Sequence, residues 1–101
     1  MSKNSLMIGV PYDFGTTFPS ISVAMPARRV QLTWQSCATV APDAVDLSLE
    51  ASDDDVTWDE IDASTVVGEI RTVNTSCRFL RLGAGSITNG TTNSVQIVAK
   101  A

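Results

Sequence analysis

The chain has 101 residues, of which 44% are hydrophobic and 18% charged, with a net charge of −4 and no histidine. That length fits one domain with one modest core, and the apolar content is too high for a disordered chain. Scattered cations argue against nucleic acid as a partner, no apolar run approaches the ~20 residues of a membrane span, and the lack of imidazole removes Ser-His-Asp chemistry and histidine metal ligands.

In chain order, residues 1–5 lack the long apolar stretch of a signal peptide, so cytoplasmic synthesis is expected. Leu6-Met7-Ile8-Gly9-Val10 fits a short strand. Pro11, Gly15 and Pro19 then punctuate Tyr12, Phe14 and Phe18. Proline cannot donate to a ladder and glycine weakens one, so this stretch is an extended segment rather than a regular element. Three aromatic rings there need a surface to bury them. They either fold back onto their own domain or lie on a neighbouring subunit. The second fate is the expectation carried forward: residues 1–19 form an extended N-terminal arm and residues 20–101 a β-sandwich domain. The expected partner contacts are Tyr12, Phe14, Phe18 and the adjacent pair Arg28 and Arg29.

From residue 20 the period is two. Ile21, Val23 and Met25 alternate up to Pro26. Val30, Leu32 and Trp34 alternate with polar neighbours, as do Val45, Leu47, Leu49 and Ala51. Trp58 and Ile61 flank a short strand, followed by 69–73, 78–82 and 94–98. Turn residues separate these runs: Pro42-Asp43, Ser52 to Asp55, Gly68, Asn74 to Ser76, Gly83-Ala84-Gly85 and Asn89-Gly90. Residues 59–67 are the nearest candidate for a helix, and Thr65-Val66-Val67 argues against it. The pattern predicts an all-β fold, an antiparallel, jelly-roll-like β-sandwich of about seven or eight short strands. Its core is expected to hold Val30, Leu32, Trp34, Val45, Leu47, Leu49, Leu80, Leu82, Val95 and Ile97.

Little in the chain points to catalysis, a cofactor or a metal. Asp59, Glu60 and Asp62 are the nearest acid/base candidates, yet on a strand the three cannot all point to one face. Asp53-Asp54-Asp55 does not match a calcium loop, and three consecutive side chains cannot all face one ion, so it reads as a solvated hairpin turn. Cys37 and Cys77 match no zinc spacing; they are read as reduced thiols, with a bridge between two strand ends as the alternative. Trp34 is in phase with the core, whereas Trp58, beside the acidic turn, is a candidate platform for a sugar ring.

Residues 45–58, VDLSLEASDDDVTW, followed by Cys77-Arg78-Phe79-Leu80-Arg81-Leu82, resemble a pattern in small β-sandwich virion proteins of tailed bacteriophages. There an alternating strand ends in a Ser-Asp turn followed by Thr-Trp, and a later strand carries an aromatic, an apolar residue and Arg. The turn's usual glycine is replaced here by aspartate. The resemblance covers about residues 30–100 and implies that Trp58 plugs the sandwich edge, with Phe79 and Arg81 on the face opposite Leu80 and Leu82. It implies a non-enzymatic structural role as a capsid decoration (cement) protein, a head-fibre module or a tail module. A chain that looks like one free-standing module favours decoration: a subunit on the capsid exterior, bound to the major capsid protein and sister subunits as a dimer or trimer. The alternative is a carbohydrate-binding adhesion module of a head fibre or tail.

Overall fold

The apolar side chains at alternate positions need a second layer to cover them, and the fold supplies it as two antiparallel sheets face to face. The computed structural model describes residues 5–14, 18–26, 29–37, 43–88 and 94–100, apart from the side chains of Cys37, Ala84 and Ser94. Among these residues all regular structure is strand: β1 (Tyr12–Asp13), β2 (Val23–Ala24), β3 (Val30–Cys37), β4 (Ala44–Ser52), β5 (Asp59–Ser64), β6 (Ile70–Thr75), β7 (Phe79–Thr88) and β8 (Ser94–Lys100). One sheet runs β1-β8-β3-β6 and the other β2-β7-β4-β5. Four antiparallel pairs, β1 with β8, β2 with β7, β3 with β6 and β4 with β5, form a ribbon. The ribbon wraps so that β3 also meets β8 and β4 also meets β7. That winding is a jelly roll, with consecutive strands crossing repeatedly between layers.

The core holds every residue that the alternation assigned to it. Leu32, Leu49, Leu80, Leu82, Val95 and Ile97 are fully enclosed, and Val30, Trp34, Val45 and Leu47 are nearly so. Asp59–Ser64 is a strand, as the β-branched run beside it suggested.

Four expectations are corrected. The first is the arm. The described part of residues 1–19 packs on its own sandwich: Leu6 and Phe14 belong to the core cluster, and Tyr12 and Phe18 pack against it. Backbone bonds explain why. Tyr12 and Asp13 pair with Ile97 and Gln96, and the Phe14 N–H donates to the Val95 carbonyl at 2.8 Å. A ring on a segment locked to β8 faces the nearest apolar surface, which is the chain's own.

The second correction is that residues 6–10 are not a strand. The Leu6 N–H donates to the Ala24 carbonyl (2.9 Å) on one sheet, and the Gly9 N–H to the Ala99 carbonyl (2.8 Å) on the other. Between them the chain turns: the Val10 N–H reaches back to the Met7 carbonyl at 3.1 Å, with Gly9 at φ 77°. Only glycine adopts that conformation at little cost. The segment is therefore a strap that ties the two sheets together.

The third concerns Gly83-Ala84-Gly85, which lies inside β7 rather than at a turn. Leu47 faces Gly85 while Leu49 faces Leu82, so β7 carries one extra residue there, a β-bulge. A Cβ on Gly83 would overlap the Glu50 carboxyl group, and one on Gly85 would sit 2.7 Å from the Asp46 carbonyl oxygen. The fourth is Trp58, which does not plug the sandwich edge. It is half-buried beneath Arg81, whose guanidinium carbon lies 4.3 Å from the ring centroid.

Cys37 ends β3, whereas Cys77 follows Thr75, which pairs with Val30 at the start of β3. Seven strand residues span roughly 23 Å, far beyond disulfide reach. Cys77 is a free thiol, and burial raises its pKa above the ordinary value, as suits an inert packing residue.

Candidate functional site

The acidic turn after β4 is built by side chains capping backbone. Ser52 Oγ accepts from the N–H groups of Asp54 (3.2 Å) and Asp55 (2.9 Å) and donates to Asp54 Oδ1 (2.9 Å). Asp54 Oδ1 in turn accepts from the Val56 and Thr57 N–H groups, each at 2.8 Å. Those backbone donors, Thr57 foremost, then Val56, and the Ser52 hydroxyl lower the Asp54 pKa to about 2. Asp55, at φ 64°, takes a left-handed conformation, a geometry that aspartate tolerates. The turn's central carboxylate is committed to its own backbone.

Two grooves flank the Thr75-Ser76 segment at this end of the sandwich. One, about 510 Å³, is lined by Asp53, Asp54, Asp59, Ile61 and Cys77 among others; the second, about 560 Å³, by Arg29, Val30, Gln31 and Asn74. The first is acidic and shallow. The second holds Arg29, an exposed member of the predicted contact set. Arg28 lies outside the described residues.

The aromatic members of that set are not on the surface as a group. Tyr12 and Phe14 pack edge to face at 5.2 Å with rings 73° apart; Phe14 is in the core and Phe18 half-buried beside it. What the strap exposes instead is its turn: Met7 is 64% exposed, Ile8 44% and Val10 49%. Sequence reasoning missed this, because an apolar run reads as a strand until Gly9 is recognised as a turn residue.

A second exposed apolar group, Val66, Val67 and Ile70, sits where β5 passes to β6. Its turn is also fixed. The Glu69 N–H donates to the Val66 carbonyl (3.2 Å), Gly68 has φ 73°, and Gln35 Nε2 donates to the Gly68 carbonyl (3.0 Å).

The outer face of the β2-β7-β4-β5 sheet carries charge. Arg81 Nε donates to Glu50 Oε1 at 2.8 Å while its guanidinium covers one face of Trp58. Ser48 Oγ donates to Glu60 Oε1. The outer face of the other sheet is uncharged along β3 and β6, with Gln31, Thr33, Gln35, Thr72 and Asn74. Among the described residues no group of three or more Asp, Glu or Cys side chains converges as metal ligands would. No family model, curated protein or solved structure matches the chain.

Proposed function

We propose that the protein is a non-enzymatic structural subunit of a virion, a decoration protein that binds the outside of a capsid shell and stabilises it. The likeness of residues 45–58 and 77–82 to small phage sandwich modules supports the virion context. Jelly rolls also serve as lectin domains, so the fold by itself does not choose a role.

The observation that carries the binding role is the strap turn. Met7, Ile8 and Val10 project from a turn whose base is hydrogen-bonded to both sheets. Apolar side chains held on a fixed turn need little ordering when a partner covers them, so more of the burial energy goes into affinity. Attachment thus runs through a pinned knuckle rather than through a free arm. Contacts of this size are weak singly and gain strength by repetition over a shell.

The second reading, a carbohydrate-binding module of a head fibre or tail, rests on Trp58. Arg81 covers one face of that ring, which leaves at most the other for a sugar. Purified protein mixed with shells assembled from the major capsid protein of its own genome separates the two. Saturable co-sedimentation at a fixed copy number per shell is expected for decoration. No binding to shells, together with glycan binding lost in Trp58→Ala, would establish the adhesion module instead.

A further inference from the structure

We infer that the edge of β6 away from β3 is a self-association site, at which two copies of this chain pair antiparallel across a two-fold axis. An edge strand presents unpaired N–H and C=O groups, and folded proteins blunt such edges with charge, bulges or covering segments.

Three of the four outer flanks here are managed in that way. The β8 flank is covered by residues 8–14, through Gly9, Tyr12, Asp13 and Phe14. The β7 flank is covered at its N-terminal end by residues 20–25, through Ser20, Val23, Ala24 and Met25. The β5 edge carries Asp59, Glu60 and Asp62 and is broken by a bulge between its partners Leu49 and Glu50.

β6 differs. Among the described residues it pairs with β3 alone, in unbroken register from Ile70↔Gln35 to Thr75↔Val30. It has no proline and no bulge. Its outward side chains, Ile70, Thr72 and Asn74, are exposed and uncharged. Its one charge, Arg71, is already turned onto Asp62 (2.8 Å) and Glu69 (3.0 Å). Ile70, 64% exposed, continues into the apolar Val66 and Val67 on the pinned turn beside it.

Charge selects a second copy as the occupant. Each chain carries −4, so two copies repel overall and pair best where the facing side chains are uncharged. Pairing through β5 would set carboxylates against carboxylates, whereas pairing through β6 about Thr72 sets only uncharged outward side chains together, Thr72 beside its own copy and Ile70 beside Asn74. An antiparallel strand pair is what a two-fold axis generates from one strand, so the edge is complementary to itself. The result is a continuous eight-stranded sheet across two molecules, with apolar turns at each end of the junction.

The test is sedimentation velocity of the purified full chain across a dilution series. The wild type is expected to form a concentration-dependent dimer. Thr72→Lys places like charges beside the axis and is expected to raise the dimer dissociation constant by about tenfold or more, at unchanged Tm. Glu60→Lys, on the β5 edge, is expected to leave the dimer intact. Should Thr72→Lys lower Tm, Asn74→Lys serves as the second probe of the same edge. A wild type that stays monomeric throughout, or a dimer that survives both β6 variants, overturns the inference. No shell enters this assay, and shell attachment runs through the strap turn, so its outcome is independent of the decoration reading.

Discussion

The buried indole of Trp34 on β3 donates its Nε1–H to Asp62 Oδ2 on β5 of the opposite sheet, at 2.9 Å. The other oxygen of the same carboxylate accepts from Arg71 Nε on β6 at 2.8 Å. Arg71 also donates to Glu69, which accepts from Ser64 Oγ, and these donors, Arg71 first, hold the Glu69 carboxyl below its ordinary pKa. One carboxylate thus closes the β5–β6 side of the sandwich, as the strap closes the β1–β2 side. Asp62→Leu leaves the enclosed indole N–H without its acceptor and frees Arg71, and is expected to cost about 1–3 kcal/mol in urea unfolding. Asp62→Asn retains an acceptor for the indole and is expected to cost less. Equal losses in the two variants would show that the indole bond contributes nothing.

The strap and β1 are part of the core, so their loss should be felt in folding. Phe14→Ala is expected to destabilise by about 3–5 kcal/mol and Leu6→Ala by about 2–5 kcal/mol, in the range of Leu47→Ala on β4. Chemical denaturation measures all three. An unchanged midpoint for Phe14→Ala would mean that the ring belongs on a partner.

The two glycines of the β7 bulge should respond differently to alanine. At Gly83 the obstacle is the Glu50 carboxyl group, the end of a flexible side chain that can swing away at the cost of its pair with Arg81. That pair is partly exposed and worth under about 1 kcal/mol. At Gly85 the obstacle is the Asp46 backbone carbonyl at 2.7 Å, which the ladder holds in place. Gly85→Ala is therefore expected to cost about 1–3 kcal/mol and Gly83→Ala clearly less; the reverse order in thermal unfolding would refute the bulge geometry.

Asp54 carries the pH dependence of the acidic turn. Its pKa falls from 3.8 to about 2 on folding, so its contribution is present above pH 3.8 and is lost as pH drops toward 2. Carboxyl carbon NMR should place its titration midpoint near that lower value. Asp54→Asn should flatten the fall of Tm across the same window. A midpoint at the ordinary aspartate value would contradict the capped turn.

How legible all this was in the sequence depended on whether the cause was local. Alternation in β3, β4, β7 and β8 named the inward residues because strand period alone decides them. Leu6 and Phe14 carried no such mark, since their burial comes from backbone bonds to Ala24 and Val95, far along the chain. Gly83 and Gly85 looked like a turn because glycine punctuates turns, while the need for a missing Cβ comes from Glu50 and Asp46 on β4. Asp62 looked solvated; its partners Trp34 and Arg71 lie on strands of the other sheet. The exposed turn at Met7, Ile8 and Val10 was hidden for the opposite reason, as apolar residues there suggested burial.

The decoration reading stands most directly on a binding isotherm. Purified wild type and a Met7→Asp/Ile8→Asp variant are titrated onto capsid shells assembled from the same genome, with bound protein measured by co-sedimentation. The account predicts that the wild type saturates at a fixed number of copies per shell. The variant should bind about tenfold or more weakly, with its Tm little changed because neither side chain belongs to the core. A wild type that leaves shells bare, or a variant that decorates them as well as the wild type does, would contradict it.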